Sequence, residues 1–322
     1  MHLILAPLRG FTDVVFRNAF ARHFNGIDEA VAPFVTSTKG RRIKPSHLAD
    51  LVQAENSHLP VVPQILSNNS AEFLCLANTL VDLGYGEINW NLGCPYPMVA
   101  KKKRGSGLLP FPDEIDRLLE RVLRDFAGQL SIKTRLGRYS ADEINALVPV
   151  FNRYPVKRII IHPRTGVQMY TGSVDLAAFG RCLPKLVHPV VYNGDINRLE
   201  TLRSLSDRFP SVSTWMLGRG LVANPFLAET IRIGSPQIEN RWQRFADFHD
   251  ALIDGYTRRF SGPGHVLARM KGFWGYFADE FVDGRRILKK IRKTTRLENY
   301  RVFVDGLLDP RVSQGKTDCE RL

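Results

Sequence analysis

Residues 158–165 read Arg-Ile-Ile-Ile-His-Pro-Arg-Thr. The run Arg158–Ile161, rich in Ile and closed off by Pro163, reads as a strand buried on both faces, the habit of parallel sheets. The same signature recurs outward along the chain. Upstream lie Leu130–Thr134, Glu87–Asn91, Val61–Leu66 and Leu3–Ala6, with a weaker run at Glu29–Phe34; downstream lie Val190–Asn193 and Thr214–Leu217. Helical stretches separate them. Eight such strands with helices between, in about 235 residues, match a (β/α)8 TIM barrel in size and order. A doubly wound open sheet ranks lower, because the first turn lacks a G-x-G-x-x-G fingerprint.

Composition narrows the class. The chain has 322 residues, 44% of them hydrophobic and 24% charged, which excludes a wholly disordered protein. No apolar stretch approaches the roughly 18 residues of a membrane span, and the N-terminal apolar run is too short for a signal peptide. Cys75, Cys94, Cys182 and Cys319 are too scattered for a disulfide framework and show no C-x-x-C metal spacing, so no metal is expected. The three cysteines other than Cys94, namely Cys75, Cys182 and Cys319, read as small buried hydrophobes. A cytoplasmic setting, a monomer and a polyanionic partner are the expectations, the last from 45 Lys+Arg against 32 Asp+Glu.

That charge is concentrated at one end. Residues 1–240 carry 28 basic and 21 acidic side chains, and residues 241–322 carry 17 and 11, so 82 residues hold +6 of the +13. The strand pattern stops near residue 235. Beyond it Phe245, Leu252 and Tyr256, then Val266, Met270, Phe273 and Phe277, recur at helical spacing and predict packing faces. The chain therefore divides into a barrel over 1–238 and a small C-terminal helical domain over 239–322. Within the latter, Arg285–Arg296 has no acidic residue, so intrahelical pairing cannot explain Arg286, Lys290 and Lys293, and phosphate contact is the better reading.

Chemistry in this architecture sits at the C-terminal ends of the strands. Asn193-Gly194-Asp195 and Gly218-Arg219-Gly220 occupy the ends of strands seven and eight and read as phosphate-binding turns, whose N–H groups glycine lets approach and to which Arg219 could add a charged bond, or as ordinary tight turns. Lys133 reads either as the partner of an anion or ring acceptor, or as a surface lysine. His162 reads as a ligand or as a satisfied core histidine. Gln64 suits the edge of a heteroaromatic ring, or a hydrogen bond to a neighbouring loop. Cys94, between Gly93 and Pro95, reads as a thiol at the barrel mouth, mostly protonated near neutrality and able to give a proton, or as a small buried hydrophobe. Lys101 and its basic neighbours to Arg104 form a cationic loop beside it.

Taken together, these residues resemble the tRNA-dihydrouridine synthase family. The likeness is carried by Asn91-Leu92-Gly93-Cys94-Pro95, Gly105-Ser106-Gly107-Leu108-Leu109, Lys133-Thr134-Arg135, His162-Pro163-Arg164-Thr165 and Tyr170-Thr171-Gly172. Gly10-Phe11-Thr12-Asp13 and the two glycine turns at 193–195 and 218–220 extend it over most of residues 5–226, and Ala268-Arg269-Met270-Lys271 extends it more loosely. The resemblance implies FMN at the mouth, reduced by NADPH, and reduction of the C5–C6 bond of uridines in tRNA. It implies that Pro7, Leu8, Gln64, Lys133 and His162 meet the flavin and that Asn193, Asp195, Gly218 and Arg219 surround its phosphate. Cys94 would be the general acid, with Asn91 and Arg135 near the uracil. Two other classes fit fewer of these features: a flavin barrel reducing a small pyrimidine or enone, and a non-catalytic RNA-binding barrel.

Overall fold

The computed structural model describes residues 1–38, 43–56 and 58–308. Cys319 and the end of the expected helical domain, 309–322, lie outside the described residues. Ten paired segments make eight strands, all parallel. They are β1 (His2–Leu5), β2 (Glu29–Val31 and Val35–Thr36), β3 (Val61–Val62 and Gln64–Leu66) and β4 (Glu87–Leu92). Then come β5 (Gln129–Gly137), β6 (Ile159–Thr165), β7 (Val190–Asn193) and β8 (Thr214–Leu217). Each pairs with the next, and β8 pairs with β1, so the sheet closes into the expected barrel. The weak second run is weak for a reason. Pro33 and Pro63 each lack an N–H, and both β2 and β3 are interrupted at their proline. β6 runs on through His162 and Arg164, so these two residues lie on the strand itself and not beyond its end.

Alternation along the strands sorts the core into two parts. Ile4, Val31, Val62, Ile160, Val191 and Met216 fill the barrel interior. Their sequence neighbours Leu3, Leu5, Ile161, Tyr192 and Leu217 face outward into the layer of helices. Because the period is two, Lys133 and Arg135 on β5, and His162 and Arg164 on β6, share the inner face with Ile160. The closed end of the barrel is plugged by charge. The Arg158 guanidinium meets Glu87 at 2.9 Å and also Glu29, and Lys157 meets Glu87 at 2.8 Å. Burial pushes the Glu87 carboxyl up, but Arg158 and Lys157 outweigh it and hold the group below its ordinary range.

The helices needed to place the site are α1 (Val14–His23), α2 (Leu227–Ile233), and the C-terminal group α3 (Arg241–Arg259), α4 (Pro263–Phe277), α5 (Gly284–Lys293) and α6 (Leu297–Leu308). The expected boundary at 238/239 falls in the connection between α2 and α3. The apolar core is nonetheless continuous across it: Phe16 of α1 packs on Phe248 and Phe273, and Phe24 on Phe226 and Phe248. The expected packing stripe on α4 is buried at Val266, Met270, Phe273 and Phe277. The turn after β1 serves two neighbours at once. Thr12 Oγ1 accepts from the Leu8 N–H at 2.8 Å and donates to the Ala6 carbonyl at 3.0 Å, fixing Pro7 and Leu8. Asp13 caps α1 and accepts from the Tyr256 hydroxyl at 2.8 Å, with Arg269 at 3.7 Å. Lys271 caps the end of α5 by donating to the Arg292 and Thr294 carbonyls.

Candidate active site

A relay of buried amides links the neighbouring strands β5, β4 and β3 and ends in the turn after β4. Asn89 donates to Ser131 Oγ at 2.9 Å, Gln64 to Asn89 Oδ1 at 2.7 Å, and Asn91 to Gln64 Oε1 at 2.7 Å. Asn91 Oδ1 then accepts from the N–H groups of Gly93 at 3.1 Å and Cys94 at 2.9 Å. Each link fixes which end of the next amide is oxygen, so the whole chain is ordered in one sense. Gln64 is fully buried, and its amide bonds to two residues of the adjacent strand β4, not to a loop. Asn91 holds the turn on which Cys94 rides.

Cys94 is also held from behind. Gly105 has φ +57°, and a Cβ there would lie 2.7 Å from the Cys94 carbonyl oxygen and 2.9 Å from its Cβ. The Ser106 N–H donates to that carbonyl at 3.0 Å. Arg135 donates from Nε to the Gly93 carbonyl at 3.0 Å and from Nη1 to the Thr165 carbonyl at 2.8 Å. Its guanidinium thus ties the cysteine turn to β6, and burial lowers its pKa to about 10. Burial also pushes the Cys94 thiol above its ordinary value, against the smaller pull of the Tyr96 N–H and of Arg135, Arg9 and Lys133. The thiol is therefore protonated at neutral pH.

A cleft of about 350 Å³ opens around Lys133, which interacts electrostatically with the thiol. Ala6, Pro7, Leu8 and Met216 form its apolar floor, and Lys133 and His162 its polar side. Gly194, Asp195, Gly218 and Arg219 close one end, while Gly275, Tyr276 and Asp279 supply a wall from α4 and the turn after it. The cleft is thus built by both halves of the chain. Lys133 is not the surface lysine of its alternative reading: its ammonium donates to Asn193 Oδ1 at 2.7 Å, and burial, with Arg135 nearby, lowers its pKa to about 7. Asn193 is fixed in turn by donating to the Met216 carbonyl at 2.8 Å. A Cβ on Gly220 would fall 2.2 Å from the Ile196 carbonyl oxygen, so the two glycine turns lie directly against each other. Asp195 adopts φ +45° and its carboxylate pairs with Arg164 at 2.5 Å and Arg219 at 3.0 Å. Tyr170 lies between Arg135 and Arg219, whose guanidinium carbons are 5.2 and 4.7 Å from its ring centre.

Other expected residues sit apart from the cleft. Lys101 is exposed, but its run is not uniform: Lys103 pairs with Glu114 at 2.9 Å, and Arg104 donates to Asn68 Oδ1 at 3.0 Å. Arg286, Lys290 and Lys293 are exposed on α5, and the first two border a separate groove with Val302 and Phe303 of α6. Cys182 is buried and donates to the Phe179 carbonyl, whereas Cys75 is half-buried. Sequence reading gave no role to Arg164, Tyr170, Tyr276, Asp279 or Arg138. Arg138 donates to the Pro95 carbonyl at 3.2 Å and Ser106 Oγ at 3.3 Å. For Arg164 the signal was available, since it stands two residues after His162 and so on the same face; for Tyr276 and Asp279 there was none. No helix among the described residues is long and apolar enough to cross a membrane, and no three metal-ligating side chains gather among them.

Comparison with known proteins places these features. The family model described as dihydrouridine synthase (Dus) matches residues 4–277. A probable tRNA-dihydrouridine synthase of Rhodobacter capsulatus is 32% identical over 268 residues, 82% of each chain. Two proteins named tRNA-dihydrouridine(16) synthase match more of the length. That of Neisseria meningitidis is 25% identical over 90% of each chain, and that of Aquipseudomonas alcaligenes 26% identical over 96% of this chain and 99% of its own. Among solved structures, the old yellow enzyme of Trypanosoma cruzi aligns with a TM-score of 0.53 at 12% identity, covering 80% of this chain and 93% of its own. Morphinone reductase aligns with a TM-score of 0.51 at 10% identity, covering 76% and 90%. At these identities the likeness is one of fold.

Proposed function

The chain belongs to the dihydrouridine synthase family, and from that premise we propose that it reduces the C5–C6 double bond of a uridine in tRNA, with FMN as its flavin and NADPH as reductant. The observation that carries the reading is a buried thiol, Cys94, kept protonated by burial, held by Asn91, Gly105 and Arg135, and within electrostatic reach of Lys133, which lines a cleft suited to a flat ring with a phosphate tail.

The residues present fit FMN. Pro7 and Leu8 offer an apolar floor and Lys133 and His162 a polar edge, while the Gln64 amide, expected at the ring edge, is taken up by Asn89 and Asn91. At the far end the turns at Gly194 and Gly218 offer close approach to main-chain N–H groups, with Arg219 and the Lys133-bound Asn193 beside them. Asp195, paired with two arginines, shapes that turn. When bound, the flavin supplies hydride to C6 of the pyrimidine. The protein supplies the rest. Cys94 Sγ holds the proton destined for C5, and Asn91 and Arg135 fix where that sulfur stands. A uridine in folded RNA must leave its stack to reach the thiol, and the exposed cations Lys101, Arg286, Lys290 and Lys293 are suited to hold the backbone that carries it.

The test is to map dihydrouridine in tRNA from cells lacking this protein. Loss at one position, restored by the wild-type chain and not by Cys94→Ala, is expected. Position 16 is the first to inspect, because the relatives covering 90% and 96% of this chain are named for it. A dihydrouridine map unchanged at every position would overturn the reading.

A further inference from the structure

We infer that Arg164 is a positioning residue: it locks His162 as the neutral imidazole protonated on Nδ1, and through Asp195 it clamps the loop after β7. The inference rests on hydrogen-bond arithmetic at three contacts. Arg164 Nη1 lies 3.1 Å from His162 Nε2. A guanidinium has only donors and stays charged at any relevant pH, so Nε2 must be the acceptor. A neutral imidazole with an accepting Nε2 carries its proton on Nδ1. Arg164 cannot turn away to permit another arrangement, because its two terminal nitrogens also bind the Asp195 carboxylate at 2.9 and 2.5 Å, and Nη2 donates to the Gly172 carbonyl at 2.6 Å. The side chain is 2% exposed, and its Nε is buried with no partner. The group is held in place by its other nitrogens.

The surroundings oppose a second proton on the ring. His162 is faced by Lys133 and Arg135 from β5, Arg164 on its own strand, Arg219 after β8, and the Tyr170 ring 6.3 Å away from the loop after β6. Burial first, and then these cations, hold its pKa well below the ordinary histidine value. His162 lines the cleft, so a ligand there meets, at neutral pH, an imidazole whose single N–H is on Nδ1. The same guanidinium keeps Asp195 in its left-handed turn at φ +45°, a conformation that costs a non-glycine residue energy. Arg164 thus couples the charge state of one cleft residue to the shape of the turn expected to hold a phosphate. This consequence for a bound flavin rests on the function proposed above; the tautomer does not.

The test is therefore made on the full chain as purified, by nitrogen-15 NMR of histidine-labelled protein, with His162 assigned by the signal lost in His162→Gln. In the wild type the His162 ring is expected to show the coupling pattern of the Nδ1–H tautomer at neutral pH and to titrate only below the ordinary histidine range. Arg164→Met should populate the Nε2–H tautomer while burial, Arg135 and Lys133 keep the ring neutral, and Arg164→Lys, which keeps the charge but offers a single donor nitrogen, should lie between. An Nε2–H ring or an imidazolium in the wild type at neutral pH overturns the inference without any variant having to fold. An Arg164→Met protein that is folded and leaves the His162 pattern untouched overturns it as well. Failure to find dihydrouridine in tRNA would not alter either spectrum, so the two readings fail separately.

Discussion

Two side chains decide what the cleft can do, and each carries a prediction. Cys94→Ala should keep the yellow cofactor and its reduction by NADPH while single-turnover reduction of RNA falls by about 10²–10⁴-fold, the usual worth of a general acid. The pH dependence has a definite sign. Burial raises the thiol pKa, so the donor form is complete at neutral pH and is lost only as pH rises past the ordinary thiol value of about 8.5. Single-turnover rates should be flat up to that point, and the residual activity of Cys94→Ala should lack the decline. A mutant with wild-type rates would remove Cys94 from the chemistry.

Lys133 titrates in the opposite sense. Its pKa of about 7 in the folded chain is below the ordinary lysine value of about 10.4, so between the two the unfolded chain binds a proton that the folded chain does not. Stability contributed here rises with pH across that window. A ring oxygen or nitrogen accepting from the ammonium favours the charged form, so flavin binding to the stripped protein at pH 8 should take up close to one proton. Calorimetry in buffers of different ionisation enthalpy measures this directly. Lys133→Met should abolish the uptake, and a wild type that binds flavin with no proton exchange would show that Lys133 does not touch the ring.

Among the elements, the turn between β1 and α1 does most to join the two halves. Asp13 ends the turn, caps α1, and accepts from Tyr256 of α3, while Phe11 packs edge-on against Phe273 and Tyr276 of α4. Burial, with Asp50 nearby, holds the Asp13 carboxyl above its usual range, so its charge is a cost that its hydrogen bonds offset. Asp13→Ala loses both the cap and the partner of a buried hydroxyl, and about 1–3 kcal/mol of stability should go with them. Asp13→Asn keeps an acceptor and sheds the charge, so it should lose less. Urea unfolding of the three proteins checks the order; equal losses would mean that the cap and the tyrosine bond contribute nothing. The same element scale explains why β2 was faint in the sequence: its proline splits it into two short pieces whose pairing depends on β3, itself split by Pro63.

At the scale of the molecule, the uneven charge becomes a surface. Arg286, Lys290 and Lys293 are exposed on α5, whose Ile287 and Ile291 are buried. Neutralising the three together should weaken tRNA binding and flatten its salt dependence by roughly 0.7 log units per lost phosphate contact, about two units in all. NADPH-driven flavin reduction should remain normal, since these side chains lie outside the cleft. Titrations from low to moderate salt decide it. An unchanged slope would leave α5 a solvated face and move the RNA path to Lys101, which is exposed near the Cys94 loop.

The sequence by itself determined the barrel, its C-terminal mouth, and the residue types gathered there. Strand alternation is a local property, so Lys133 with Arg135, and His162 with Arg164, were bound to share a face once their runs were recognised as strands. The motifs around Cys94 and the two glycine turns were equally legible, because close backbone approach demands glycine at fixed positions. Only the tertiary structure decided what each polar group is bonded to. Gln64 and Asn91 belong to an amide relay whose members are 25 and 27 residues apart, and Lys133 finds Asn193 across 60 residues. It also decided that the cleft is walled by Tyr276 and Asp279 from beyond the barrel. Those contacts come from packing elements distant in sequence, where no local period or spacing records which side chain will stand opposite.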